Sequence, residues 1–481
     1  MKPNILWICP DQQRYDTIHA LGNDHIRTPN LDKLASEGVS FMKTYCQSPV
    51  CSPSRASFLT GQYPGSVHVN TNGSETFPDN VELITKLLAD IGYDCGLSGK
   101  LHIASAWTGH EKRVNDGYRY FQHSLSHIQH IGNGNSYTDW IQEKGHSLED
   151  VFVKKDNINA YGKREGEYKS YRSDMPLELH QTTWCIEKAL DFIKENRESP
   201  WLMSINMFDP HPPFDNIDEY FEMYPPEEMP VPLYKEGEVE YQNSIKQVFF
   251  QGDPKKPDSN TLKNKAAYYG SISLIDKQVG RLIDYLEKSG EIDNTIIIFT
   301  SDHGEMLGDH GLIQKGCRFY EGAVHVPLII SWKGQFQKNV RCNELVELTD
   351  IAPTLAEICG CKLKRTDGKS LVPILRGDKD YKKHREYVRC EYYNALNMYA
   401  PYEPEKNIPT YANMYFDGKY KLITYHTMDS GELYDLENDP NEFNNLWHDK
   451  EYNEIKFDLL KKSFDASIVC ADPGSRLIGR Y

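Results

Sequence analysis

Short runs of β-branched and aromatic residues alternate along this chain with longer stretches whose apolar positions recur at helical spacing. Residues 4–9 (NILWIC) form an apolar run that stops at Pro10-Asp11, and residues 31–36, behind Pro29 and ahead of Gly38, read as a helix. Residues 81–91 (VELITKLLADI) keep helical spacing up to Gly92, after which 93–97 read as a strand. A helix over 180–196 precedes a strand at 201–208 (WLMSINMF), and a helix over 266–288 precedes 295–300 (TIIIFT). Residues 327–332 repeat the theme. Strands separated by helices predict an α/β fold, a large mixed, mostly parallel sheet sandwiched by helices.

Beyond residues 375–377 (LRG) the pattern changes. Residues 386–392, 414–416 and 420–425 have strand character and 453–464 read as a terminal helix, so a smaller antiparallel sheet with a helix is expected. A chain of 481 residues exceeds the size at which one core stops growing. The expected division is a catalytic domain over 1–377 and an α+β subdomain over 378–481. The Tyr- and Asn-rich stretch 390–420 reads as a loop able to cap a pocket, and 403–406 and 225–228 as further loops.

Composition narrows the function. The 39% hydrophobic and 26% charged content is globular, and no run approaches the roughly 18 apolar residues of a membrane span. The start, MKPNILWICPDQQ, is too short and strand-like for a signal peptide, so the chain as given reads as cytoplasmic; a trimmed N-terminus would make it periplasmic or secreted. Eleven cysteines in irregular spacing fit reduced thiols better than a disulfide framework. A net charge of −16 argues against nucleic acid as a partner. It also means that an anionic substrate would need locally placed cations.

Polar residues cluster just after the predicted strands. Asp11 follows the first, Lys100 and His102 the second, His211 the third, and Asp302-His303 the fourth. Each alone is an ordinary loop residue, but in an open α/β sheet sites collect beyond the carboxyl ends of the strands, and together they predict one pocket. Asn72 and His110 are read either as contacts to a leaving group or as structural. His123, His127 and His130 fit either a substrate or metal contact or one solvated helix face.

Cys51 opens the run CSPSRASFLTG, residues 51–61. A lone cysteine is most often a small buried hydrophobe. The pattern CxPxRxxxLTG, however, resembles the signature of the type I, formylglycine-dependent sulfatases of the alkaline-phosphatase-like superfamily. PDQQRYDTI (10–18), SGKLH (98–102), FDPHPPF (208–214), SDHGEMLGDHGLIQKG (301–316) and GELYDLENDPNEFNNL (431–446) extend the resemblance over most of the chain.

The resemblance implies that a formylglycine-generating maturation enzyme converts Cys51 to 3-oxoalanine before the chain folds. One hydroxyl of the hydrated aldehyde would attack sulfur, and the other would let the C–O bond collapse and expel sulfate. A divalent cation, calcium first, would be held by Asp11, Gln12, the modified Cys51, Asp302 and His303. Gln12 and His303 stand where the family more often has aspartate and asparagine. Lys100 and Lys315 would grip the sulfate, Arg55 would hold the diol, His102 would assist its deprotonation, and His211 would protonate the leaving alcohol. The implied substrate is a sulfated small molecule or saccharide. A phosphonate monoester or phosphodiester hydrolase of the same superfamily and an inactive glycan-binding homologue are the alternatives; Lys100 and His102 favour sulfate over phosphorus.

Overall fold

A computed structural model describes residues 2–105, 111–125, 135–148, 151, 170–173, 175–244, 254–395, 410–426 and 428–471. Its strands in chain order are β1 (Asn4–Ile8), β2 (Val39–Tyr45), β3 (Asp94–Gly99), β4 (Tyr120–His123), β5 (Ser170–Ser173), β6 (Trp201–Asn206), β7 (Phe214–Ile217), β8 (Thr295–Thr300), β9 (Leu328–Ser331) and β10 (Val340–Glu347). Among the described residues, eight of them form one sheet in the order β10-β2-β9-β8-β1-β6-β3-β4, while β5 and β7 pair separately. Every pairing in the large sheet is parallel except those of β9, which runs antiparallel to both β2 and β8. The sheet is mixed and mostly parallel, as the alternating pattern predicted.

Burial on both faces explains why the central strands read as unbroken apolar runs. Side chains alternate across a strand, so Ile5, Trp7, Ile296 and Ile298 enter one hydrophobic cluster, and Leu6, Ile8, Ile297 and Phe299 enter the other. The first cluster also takes Ala56, Phe58 and Leu59 of the helix Cys51–Thr60 and Ile351 and Leu355 of the helix Ile351–Cys359. The second takes Ile275, Val279, Leu282 and Leu286 from the helix Ser259–Ser289, together with the helix Gln181–Ile193. Each fully buried Ile, Leu or Phe contributes roughly 1.5–3 kcal/mol relative to exposure.

The long helix begins seven residues before the expected start at 266, because Asp258 and Thr261 form a capping box; Gly290 ends it in a left-handed conformation. Conversely, the helix expected over 81–91 is confined to Ile84–Asp90, with extended Leu83 as its N-cap.

A second sheet holds β11 (Val388–Tyr393), β12 (Tyr411–Phe416), β13 (Tyr420–His426) and β14 (Ser430–Asp435), all antiparallel. The helix Asn453–Val469 covers it through Leu459 and Ala466, which pack with Leu422 and Leu433. Its other face joins the main core, where Val388, Cys390, Met414 and Phe416 sit in the same cluster as Trp7. The stretch 390–420 is therefore not one loop: its two ends are the paired strands β11 and β12, and 396–409 lies outside the described residues, as does the predicted loop 403–406. Buried Lys421 on β13 ties this sheet to the main one, donating to Phe319 O at 3.1 Å and Glu442 at 2.7 Å and pairing with Glu321.

Candidate active site

Strands β8, β1, β6 and β3 are consecutive neighbours and run parallel, so their carboxyl ends lie side by side. Asp302 and His303, Asp11 and Gln12, His211, and Lys100 and His102 leave those four ends in that order. The turn at Lys100 depends on a glycine: Gly99 has φ +98°, and a Cβ there would lie 2.0 Å from Asn206 O.

Cys51 enters from above, at the first turn of a helix in which every residue from Cys51 to Thr60 is buried. No side chain of its own N-cap residue, Val50, closes that turn. Asn72 does so instead, its Oδ1 accepting from Ser52 N at 2.8 Å, which gives Asn72 a structural task. The helix dipole favours negative charge close to Cys51.

Asp11, Cys51, Asp302 and His303 each bring a ligand-type atom within 4.8 Å of the others, and all four are buried. Cys51 Sγ lies 3.1 Å from His303 Nε2 and 4.0 Å from Asp11 Oδ1. His303 Nδ1 lies 3.0 Å from Gly304 O; donating there leaves Nε2 as the ligating nitrogen, the usual way a metal-binding imidazole is oriented. The backbone of Gln12 is left-handed at φ 71°, and its N–H donates to Asp302 Oδ1 at 3.0 Å. The set of carboxylate, amide and imidazole donors fits a divalent cation.

Arg55 is committed to these carboxylates. It donates from Nε to Asp302 Oδ2 at 2.9 Å, from one terminal nitrogen to Asp11 Oδ2 at 3.2 Å, and from the other to Lys100 O at 3.1 Å. Lys100 Nζ donates to Asp11 Oδ2. Burial alone would raise the Asp11 carboxyl, but Lys100, His211, Arg55 and Lys315 hold it well below the usual carboxylate range. On the opposite wall Lys315 Nζ donates to Gln12 Oε1 and, at 2.6 Å, to His211 Nε2. His211 Nδ1 lies 2.6 Å from Pro212 O.

The histidines divide by charge. Burial, reinforced by Lys315 for His211 and by Lys100 and Arg55 for His102, pushes both imidazoles well below their usual range, so both are neutral at pH 7. For His303 burial acts the same way, but Asp302 and Cys51 override it and lift the ring to about 9, so a cation would bind Nε2 only by displacing its proton. Burial and Asp11 push the Cys51 thiol up, yet Lys100, Lys315 and His303 bring it down to about 7. The position is thus built to hold an anionic atom on residue 51, and the sulfur marks where the oxygens of a hydrated aldehyde would stand.

All the predicted site residues therefore converge, and two partners were missed. Glu111, buried, accepts from the backbone N–H groups of Ile103 at 2.6 Å and Ala104 at 2.8 Å and from that of His102, and so fixes the turn that carries His102. Glu305 acts through a bond to Gln12, a residue far away in sequence. His123 is the last residue of β4 and buried, not part of a solvated helix face. His110, His127 and His130 lie outside the described residues.

Comparison with known proteins matches residues 3–361 to the sulfatase family and residues 308–467 to the family described as N-sulphoglucosamine sulphohydrolase, C-terminal. An arylsulfatase of Clostridium perfringens is 32% identical over 96% of this chain and 93% of its own length. An N-acetylglucosamine-6-O-sulfatase of Bacteroides thetaiotaomicron is 28% identical over 96% of this chain and 85% of its own. Among solved structures, a phosphonate monoester hydrolase of Agrobacterium radiobacter superposes with a TM-score of 0.82 at 26% identity, over 98% of this chain and 96% of the other.

Proposed function

The chain belongs to the sulfatase family, and on that footing we propose that it removes sulfate from a sulfated saccharide through a formylglycine made from Cys51. The observation that carries the reading is the surroundings of Cys51: a buried helix start whose side chain faces Lys100 and Lys315, two cations that favour negative charge there. The family uses a metal, and the ion we propose is calcium, held by Asp11, Gln12, residue 51, Asp302 and His303. When bound it would polarise a sulfate oxygen.

The chain's own groups do the rest. Arg55 holds Asp11 and Asp302 aligned through its bonds to both carboxylates. Lys100 and Lys315 bind the sulfate, which explains how a protein of net charge −16 attracts an anion. Neutral His102, next to Lys100, accepts the proton of the attacking hydroxyl. His211 Nε2, which accepts from the Lys315 ammonium, is placed to relay a proton from Lys315 to the leaving alcohol. The unit 378–481 is proposed to supply pocket wall rather than chemistry.

Saccharide as the substrate class rests on the relative named for N-acetylglucosamine 6-sulfate and on the family of the C-terminal match. No helix among the described residues is long and apolar enough to cross a membrane. The Gln12 and His303 pair and the phosphonate hydrolase neighbour favour a second, weaker activity on phosphorus esters. Rates on defined sulfated mono- and disaccharides, an aryl sulfate, an alkyl sulfate, a phosphonate monoester and a phosphodiester test both points. Sulfated sugars are expected to give the highest kcat/KM. Preference for the alkyl or aryl ester would overturn the substrate class, and preference for phosphorus would overturn the ranking of the two activities.

A further inference from the structure

Glu305, two residues after His303, is fully buried and divides its two oxygens between two parts of the site. Oε2 accepts from the side-chain amide nitrogen of Gln12. Oε1 accepts from the backbone N–H of Leu307 at 3.0 Å and from that of Gln314, the residue before Lys315. Gln314 is itself left-handed, at φ 61°.

A carboxylate can only accept, so its contact decides which way the Gln12 amide points. The NH2 must face Glu305, and the carbonyl oxygen is the pole left over, the one to which Lys315 donates. Gln12 is pinned on its backbone as well, by the bond to Asp302 and by Tyr268, whose hydroxyl donates to Gln12 O at 2.6 Å. One buried carboxylate therefore sets both the direction of the amide and the backbone that delivers Lys315.

We propose that Glu305 is a positioning residue, and that Gln12 and Glu305 form one unit which turns the Gln12 carbonyl oxygen to the cation. This rests on the metal reading given above. It also accounts for the neutral residue at position 12: an aspartate or glutamate there would put a second carboxylate against Glu305 in a buried site, where like charges are costly.

The pair invites a reciprocal exchange. In Glu305→Gln, the new side chain either turns its NH2 toward the N–H groups of Leu307 and Gln314 or turns it toward the NH2 of Gln12; each choice sets donor against donor. Adding Gln12→Glu reverses the bond, because the amide introduced at position 305 can then donate to position 12 and still accept from both backbone groups.

Calcium affinity, measured by calorimetry on the full-length wild type, Glu305→Gln and Gln12→Glu/Glu305→Gln, tests this alongside thermal unfolding without calcium. Disturbing an outer partner of a metal ligand costs roughly 10–100-fold in affinity. That loss is expected for Glu305→Gln, with recovery to within about threefold of wild type in the double variant. Wild-type affinity in Glu305→Gln would overturn the proposal, and so would a double variant no better than the single one. If Glu305→Gln fails to fold, recovery of both folding and binding in the double variant supports the pair, and failure of both refutes it. A wild type that binds no calcium would instead remove the metal reading itself.

Discussion

Arg55 and Asp302 form an ion pair with no solvent access on either side, Nε to Oδ2 at 2.9 Å, and the same guanidinium reaches Asp11 at 3.2 Å. Breaking a buried pair from one side leaves a charge without compensation. Arg55→Ala is accordingly expected to lose about 3–5 kcal/mol of stability in chemical denaturation. Added calcium should recover part of that loss, because a cation would take over the neutralisation of Asp11 and Asp302. A variant as stable as wild type would show that the carboxylates do not depend on Arg55.

Cys51→Ala should abolish sulfate ester hydrolysis and leave the melting temperature nearly unchanged, since among the described residues the side chain hydrogen-bonds only to His303 and Asp11. Turnover of an aryl sulfate and a thermal melt on the same sample check both halves. Residual activity near that of the wild type would rule out covalent catalysis through residue 51.

His211→Ala should depress kcat/KM on esters with poor leaving groups far more than on activated aryl esters. General acid catalysis contributes about 10²–10⁴-fold when the leaving group needs the proton. Equal losses on both substrates would assign His211 another task. The sign of its ionisation can be followed separately. Burial and the Lys315 charge hold the ring well below its usual range, so carbon-13 NMR of the ring should find it neutral at pH 6.5, and Lys315→Ala should move its titration upward.

Asp276 offers a test remote from the chemistry. It lies within the helix Ser259–Ser289 and accepts from Asn30 N at 3.0 Å and Leu31 N at 2.7 Å, capping the helix Pro29–Ser36 from outside. Burial raises its carboxyl to about 6, although these bonds pull the other way. Because the folded state binds the proton more tightly than the unfolded chain, its contribution is full below about pH 4 and is lost as the pH rises to 6. Unfolding free energies of wild type and Asp276→Asn at pH 4, 5 and 6 should therefore diverge, with the variant lacking a downward slope of up to ~1.4 kcal/mol per pH unit. Parallel curves would contradict the raised value.

Strand β8 was legible to the residue, because TIIIFT is buried on both faces and β-branched at every position but Phe299. The strand β2 was not, since Ser40, Lys43 and Thr44 interrupt the apolar run of VSFMKTY, and polar residues interrupt β10 (VRCNELVE) in the same way. The direction of β9 was invisible as well: a short apolar strand has the same local pattern whichever way it runs. For the site, Asp11, Cys51, Lys100, His211, Asp302 and Lys315 were legible because each sits in a compact motif. The bonds that orient them join residues far apart, Gln12 to Glu305 and Ser52 to Asn72, and nothing in the local pattern marks such a pair. Only the unusual neutral residue at position 12 hinted that a partner had to be found.

The burial of the whole helix Cys51–Thr60 also sets a clock. A modifying enzyme cannot reach a thiol that is 1% exposed, so the proposed conversion of Cys51 would have to precede closure of the fold around it. Part of that closure comes from the second sheet, where Glu391 N donates to Gln47 O at 2.8 Å and Glu391 Oε2 accepts from Gly65 N at 3.4 Å. About 340 residues separate Cys51 from Glu391, which at 5–20 residues per second gives roughly 20–70 s of synthesis. On the proposed mechanism maturation and folding would thus be competitors, and the late position of the C-terminal sheet would delay the last part of the closure around Cys51.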